Sequence, residues 1–541
     1  GGGKAATAVK YNSASSTGVD IHHVADIGIY NNSGTHTYTG DNISIKLMPP
    51  TSTTPDPISV NVRVDSATNN GTGNQDKSIL NLGNSDTKNI NLYIDAYNKL
   101  NATDTAIGLW AYGASRTTGN IINVAGDNLN IVSEKPTAGG IDALLAQNST
   151  LNDSLSDENR ATINIKTENT YINIDSETPG AACAIVAMSQ GVININSNLE
   201  VHADDAIVAR GDAVVNINAD GTHSTKLYGD VNFNYDKDTS GTPINATVNM
   251  NLTGADSIWE GNTKYSWGSG APADPDTLTV KDFTLTLADG AQWNPNAVTE
   301  DGEDTGTSGI RYNALNNLNL NGGIINITGK EDQTTENGPT VHTGITIENL
   351  SGTGGTVNLE AADDFSTREL NIQNANGNGE EPTQLAVNFT RINADDISTD
   401  KTKQQEQLNT LAGNINFGND AGIDGQKLNA TTTVGEGLIN GGISAVMNTA
   451  TGETGTIQQN KTTTTMDNMR DIAAVSIAAW RQEDSTLSQR LGDLRESKEG
   501  QGIWARMNRG EFEYSGAFKN QYNYFQIGYD MAKGDWHYGA A

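Results

Sequence analysis

The chain has 541 residues, 58 of them Gly, with 35 % hydrophobic and 6 % aromatic residues, which suits a thin, repetitive core better than a set of ordinary globular domains. Its 65 acidic against 33 basic residues leave a net charge of -32, a surface that repels nucleic acid and anionic lipid and favours solubility and divalent cations. No apolar run reaches the roughly 18 residues that a membrane-spanning helix needs, a test to which a membrane β-barrel is blind.

The start, Gly1-Gly2-Gly3-Lys4, has neither an initiating Met nor an apolar export segment, so a natural precursor is expected to carry one upstream. From about residue 20 to about residue 460 the chain reads as short strands separated by Gly, Asn and Asp turns. Ala184-Ile185-Val186-Ala187 followed by Gly191-Val192-Ile193-Asn194-Ile195 recurs as Ala206-Ile207-Val208-Ala209 followed by Ala213-Val214-Val215-Asn216-Ile217, a shared period of 22 positions. Looser copies lie at Ala106-Ile107-Gly108 with Ile121-Ile122-Asn123-Val124, and at Leu318-Asn319-Leu320 with Ile324-Ile325-Asn326-Ile327. Such a period in strand-like sequence predicts an all-β solenoid, a parallel right-handed β-helix in which each repeat is one coil.

In each apolar-Asn-apolar triplet the outer two side chains point into the core and the middle one points out. Outward Asn or Thr then stack about 4.8 Å apart and form ladders, and roughly 15 to 20 coils would make a rod on the order of 70 to 95 Å long. A β-sandwich array is the competing fold, disfavoured by the scarcity of bulky aromatic anchors. Breaks in the pattern mark predicted loops at 49–57, 235–243, 268–276, 330–339 and 398–407. Cys183 is the single cysteine, so no internal disulfide can form, and it reads as a small buried residue in an apolar strand.

A Gly-Ala, polar stretch, Trp theme appears at Gly254 to Trp259 and at Gly290 to Trp293, with Trp267 between them. From Met466 no Pro or Gly occurs before Gly492, and Met469, Ile472, Ala473, Ile477, Trp480, Leu487 and Leu491 recur at helical spacing, with Thr465 the expected cap. Some 30 residues at about 1.5 Å each would cross a bilayer core of about 30 Å. An ordinary bundle helix is the alternative. Beyond it, Ile503, Ala505 and Met507 alternate with Trp504, Arg506 and Asn508, and Phe525, Ile527, Tyr529 and Met531 alternate with Tyr524, Gln526, Gly528 and Asp530. Two such strands fit either a soluble hairpin or the start of a membrane barrel, whose strands face lipid on one side and a polar lumen on the other.

This order resembles the autotransporters, the type V secretion proteins. The residues carrying the resemblance are Arg490, Gly492, Asp493, Leu494 and Arg495 of the helix end, then Trp504, Arg506, Gln526, Gly528, Tyr529 and Asp530 of the strands. The Trp-bearing repeats, with Gly355-Thr356-Val357-Asn358-Leu359 and Gly413-Asn414-Ile415-Asn416-Phe417, resemble pertactin-like passengers. The resemblance implies a β-helix passenger over 1–309, autochaperone-like coils over 310–460, a pore-spanning linker over 461–499 and the first two strands of a truncated barrel over 500–541. It also implies outer-membrane anchorage, assembly by the barrel-assembly machinery, and a passenger on the cell surface meeting a host or bacterial ligand. The self-cleaving serine-protease members carry an Asn-Asn pair where this chain has Ser485-Thr486, so a tethered, uncleaved passenger is expected.

No Gly-Asp-Ser-Gly or Gly-x-Ser-x-Gly nucleophile, zinc His-Glu-x-x-His, phosphate loop or calcium nonapeptide occurs, so no cofactor is implied and an adhesin or structural rod is the leading reading. A surface polysaccharide-active enzyme is the alternative, with Asp204-Asp205, Asp363-Asp364 and Asp395-Asp396 as candidate carboxylates, against a plainer reading of solvated turns. His202 beside Asp204-Asp205 invites a metal reading, against a plain surface histidine. Arg210-Gly211-Asp212 matches the integrin-binding tripeptide, at a coil turn where Gly and Asp also belong for conformational reasons.

Overall fold

Side-chain burial alternates along the strands with a period of two, as the triplets require. In Val192–Ile195 the two Ile are essentially inaccessible while Val192 and Asn194 are half-exposed. The computed structural model describes residues 18–23, 27–32, 34–47, 58–65, 77–94, 105–113, 119–133, 139–149, 155–237, 241–267, 282–295, 309–328, 344–418, 423, 427–451, 454–459, 463, 465–466, 468–478, 480, 499–514 and 518–541. These residues fall in two compact units, the larger comprising Gly1–Ile392, Ser398–Thr433 and Ser444–Ile457, the smaller Asn393–Ile397, Val434–Ile443 and Gln458–Ala541.

The larger unit is a parallel β-helix. Ile185 pairs with Ile207 and Ile193 with Val215, so the period of 22 read from sequence is one turn of the coil. Each turn contributes strands to three columns, as in Ala182–Met188, Val192–Ile195 and the start of Asn198–Arg210. Among the described residues, the column through Ile193 holds twelve strands paired in succession from Thr35–Tyr38 to Ile415–Phe417. That is fewer than the coils expected from length, because most turns are longer than 22 residues. Thr162 pairs with Val192, and Val214 with Thr247, across 30 and 33 positions.

The core is built of Ile, Leu and Val, with Trp259 and Trp293 of successive coils stacked 5.0 Å apart at 7°. Each indole N–H donates to a backbone carbonyl 3.0 Å away, Gly229 and Gly261 respectively, which satisfies its one polar atom inside an apolar stack. The parallel stacking is broken at Thr263–Trp267, whose next partner, Gly309–Tyr312, runs antiparallel.

The predicted loop at 398–407 lies largely in the helix Lys401–Ala412, capped by Asp400, whose side chain accepts from the Thr402 and Lys403 N–H groups. Leu408, Leu411 and Ala412 bury one face, a helical spacing that only two Leu announce in the sequence. Cys183 is half-buried and lies on the outward side of its strand, since Ala182 and Ala184 take the core positions around it. The predicted loops 49–57, 268–276 and 330–339 lie wholly or almost wholly outside the described residues. The region 235–243 holds part of a two-stranded hairpin, Asp236–Lys237 with Pro243–Ile244.

In the smaller unit, residues 465–466, 468–478 and 480 are helical. The cap is Thr463 rather than Thr465: its Oγ1 accepts from the Met466 N–H at 2.9 Å and donates to the Leu438 carbonyl at 2.9 Å. Thr465 lies inside the helix. Three antiparallel strands follow, Glu499–Tyr514, Phe518–Lys533 and Trp536–Ala540, one more than was read from sequence.

Candidate functional site

The outer face of the coil column through Ile193 carries a continuous amide ladder. Asn81 Nδ2 donates to Thr37 Oγ1, and the series continues through Asn123, Asn164, Asn194, Asn216 and Asn249, each donating to the oxygen of the coil before it at 2.8–3.1 Å. A second ladder runs through Asn42, Asn89, Asn128, Asn169 and Asn198 at 2.9–3.3 Å. A third joins Asn294, Asn326, Asn358, Asn388 and Thr433 at 2.7–3.2 Å. Each inner amide is donor to one neighbour and acceptor from the other, so the bonds polarise one another along the stack.

A different column of outward positions carries charge. Ile107, Asp142, Cys183, Asp205 and Asp230 are paired in turn on successive coils, with a register irregularity on either side of the Asp205–Asp230 pair. Lys264, one coil on and beside them, places Nζ 3.1 Å from Asp205 Oδ1 and 2.6 Å from Asp230 Oδ2. Asn232 Nδ2 donates to Asp205 Oδ2 at 2.9 Å, and the Asn262 N–H to Asp230 Oδ1 at 2.7 Å. Val60, Ile107, Trp110, Leu145, Val186 and Val208 form a buried apolar cluster, and Cys183 packs against it.

Burial pushes the Asp142 carboxyl up to about 7. It also raises the Cys183 thiol, with the charges of Asp142, Asp205 and Asp204 adding to the effect, so the cysteine stays protonated and unreactive. Burial raises Asp205 as well, against the opposing pull of Lys264 and Asn232. For Lys264 burial alone would favour the neutral amine, but Asp205 and Asp230 outweigh it and hold the ammonium well above the ordinary lysine range.

The sequence-flagged residues separate. Asp204 accepts from the Ala182 N–H at 3.1 Å, while His202 sits 2.9 Å from Glu200 and stacks on Tyr228 at 4.5 Å and 12°. Among the described residues no group of three or more His, Cys, Asp or Glu is placed to hold a metal ion. Asp364 closes a turn onto Ser366, and Asp363 is fully exposed near Arg391. Asp395 accepts from the Ile439 and Asn440 N–H groups at 3.0 and 2.8 Å, which holds its carboxyl below the usual range, and Asp396 accepts from Asn393.

In Arg210-Gly211-Asp212 both charged side chains have partners in the rod: Arg210 with Asp236 at 2.9 Å, Asp212 with Arg160 at 3.0 Å. Gly211 and Asp212 both have positive φ, 64° and 57°, which is the tight coil turn that suits these residue types. Asp230, Asn232 and Lys264 were missed by sequence reading. Their only signal is register, which variable coil lengths hide.

In the last strands Trp504 faces Gly528 and Arg506 faces Gln526, while Ile503 faces Tyr529 and Gly502 faces Asp530. A Cβ at Gly528 would run into the Trp504 ring, so glycine makes room for the indole. Ile503, Met507, Phe525, Ile527, Tyr529 and Met531 share the opposite face and are 39–76 % exposed. That is a contiguous apolar surface of the kind that soluble monomers rarely leave open. The helix signature Arg490, Gly492, Asp493, Leu494 and Arg495, and the Ser485-Thr486 position, lie outside the described residues.

The chain is similar to a serine protease, EspC, of Escherichia coli O127:H6 (strain E2348/69 / EPEC). The two are 26 % identical over 220 residues, which is 38 % of this chain and 16 % of the relative, so the matched part is a small fraction of that protein's length. No protein-family model matches the chain. Among the described residues no helix is long and apolar enough to cross a membrane, which says nothing of a β-barrel.

Proposed function

We propose that the chain is a surface-displayed autotransporter passenger, a structural or adhesive rod, followed by its linker helix and the opening strands of an outer-membrane barrel. The observation that carries this reading is the order of architectures: a parallel β-helix, then helical residues 465–466, 468–478 and 480, then antiparallel strands whose apolar face is exposed. In water such a face is costly, and against acyl chains it is stabilised. The partial likeness to EspC supports the same reading. On it, the barrel-assembly machinery inserts the strands and the segments divide as 1–309, 310–460, 461–499 and 500–541. The passenger stays tethered, and its ligand is a host or bacterial surface molecule, with Arg210-Gly211-Asp212 one candidate attachment point.

Surface display of the full-length gene with protease shaving of intact cells tests it. Release of a large, resistant fragment is expected. Protection of the rod in intact cells, with cleavage only after lysis, overturns the reading. The second reading, a polysaccharide-active enzyme, rests on the approach of Asp205 and Asp230, although Lys264 occupies the space between them. Glycan cleavage by the purified rod, lost in Asp205→Asn, would establish it.

A further inference from the structure

Around Lys264 the side chains are arranged for a reaction as well as for an ion pair. The amine nitrogen lies 2.6 Å from Asp230 Oδ2, and the other oxygen of that carboxyl is held by the Asn262 N–H at 2.7 Å. A second acid, Asp205, reaches the same nitrogen at 3.1 Å and is itself oriented by Asn232. Lys264, Asp230 and Asp205 are only 19, 17 and 6 % exposed, so water has limited access. These are the parts an amide-forming site needs: a nucleophile, an acyl carbon, a donor on the oxygen that will carry negative charge, and a proton carrier.

We propose that Lys264 and Asp230 condense into an intramolecular amide that staples Thr225–Asn234 to Thr263–Trp267 on neighbouring coils, with Asp205 as the acid–base group. Asp205 relays a proton from the Lys264 ammonium to Asp230 Oδ2, leaving a neutral amine beside a neutral carboxylic acid. The nitrogen lone pair attacks Cγ, the C–N bond forms, and the negative charge falls on Oδ1, where the Asn262 N–H meets it. Asp205 then takes a second proton from the nitrogen and delivers it to Oδ2. The Cγ–Oδ2 bond breaks, one water leaves, and Asp205 is again a carboxylate. No outside reagent is consumed.

Between separate molecules in water this condensation is unfavourable. Fixed neighbours reach effective molarities of about 10⁵ M or more, which reverses the balance. The paired ammonium gives up its proton reluctantly, so little neutral amine is present at any moment and the bond accumulates slowly after folding. A chain with one cysteine has no disulfide of its own, and this link would close the segment between residues 230 and 264 by another chemistry.

The test is the intact mass of the folded full chain, taken fresh and after prolonged incubation, followed by tryptic mapping. A mass about 18 Da below the sequence value, with residues 230 and 264 recovered in one linked peptide, is expected. Asp230→Asn should still link but lose ammonia, about 17 Da. Lys264→Arg, which keeps the charge, should restore the full mass. An unshifted wild-type mass after incubation, with the Lys264 peptide recovered free, overturns the proposal and leaves a plain ion pair. Loss of water without a linked peptide is succinimide formation and counts equally against it. The wild-type result decides the matter even where a variant fails to fold.

Discussion

Two outward-facing columns of the same rod meet one requirement in different ways. Between Thr37 and Asn249 each inner coil presents a neutral amide that is donor and acceptor at once, so the column extends by repetition without accumulating charge. Along Ile107, Asp142, Cys183, Asp205 and Asp230 three of the five equivalent positions hold acids, and one lysine from the next coil has to offset two of them. A stack of identical coils tolerates an uncharged repeat indefinitely. It tolerates buried charge only where a partner arrives in register, because each unpaired charge adds its full desolvation cost.

The largest effect should come from removing that partner. Lys264→Met leaves Asp205 and Asp230 facing each other uncompensated, and a loss of about 3 kcal/mol is expected, read as a lowered urea midpoint of the rod. A midpoint unchanged at neutral pH would mean that the two acids are separately solvated. Next comes Asp142, which tests whether the charged column resists ionisation. Its folded pKa of about 7 stands above the ordinary 3.8 expected of the unfolded chain. Between those values the folded protein holds a proton that the unfolded chain has lost, so stability is full below about pH 4 and falls as pH rises to about 7. Asp142→Asn should flatten that decline, with its gain over wild type appearing at pH 8 and vanishing at pH 4. The opposite ordering at the two pH values would sink the assignment.

Smaller effects are expected in the ladder. Asn194→Ala removes two amide bonds at once, to Asn164 and from Asn216, and should cost about 1–2 kcal/mol, with faster hydrogen exchange in Val192–Ile195 and its two neighbours in the stack. Asn249→Ala removes one bond at the end of the series and should cost about 0.5–1 kcal/mol. A loss at Asn194 no more than twice that at Asn249 would show that the bonds act independently, and a larger ratio that they reinforce one another along the column.

Much of this architecture was legible in the residues. The alternation around Asn194 and Asn216, and the equal spacing of Ile185 to Ile207 and Ile193 to Val215, announce parallel coils because each pleated strand sorts its side chains by a period of two. The faces of the last strands were legible for the same reason, whereas the residues opposite Trp504 and Arg506 came only with the pairing of the two strands. The helix at Lys401–Ala412 was harder to see, since its buried face offers only Leu408, Leu411 and Ala412 beside Gln404. Thr463 was missed as a cap because the choice among neighbouring threonines is made by the Leu438 carbonyl, which is distant in sequence.

By itself, then, the sequence determined which side chains face in and which face out, and that the coils stack with amides aligned. Local periodicity settles both, whatever the length of the intervening inserts. Only the tertiary structure decided which charged groups meet. The distance in sequence from Asp205 to Asp230 differs from that between Cys183 and Asp205, and Lys264 reaches both acids from a further coil of yet another length. Register is conserved through space while the chain between successive coils varies, so a site assembled along the stack leaves no fixed spacing to read.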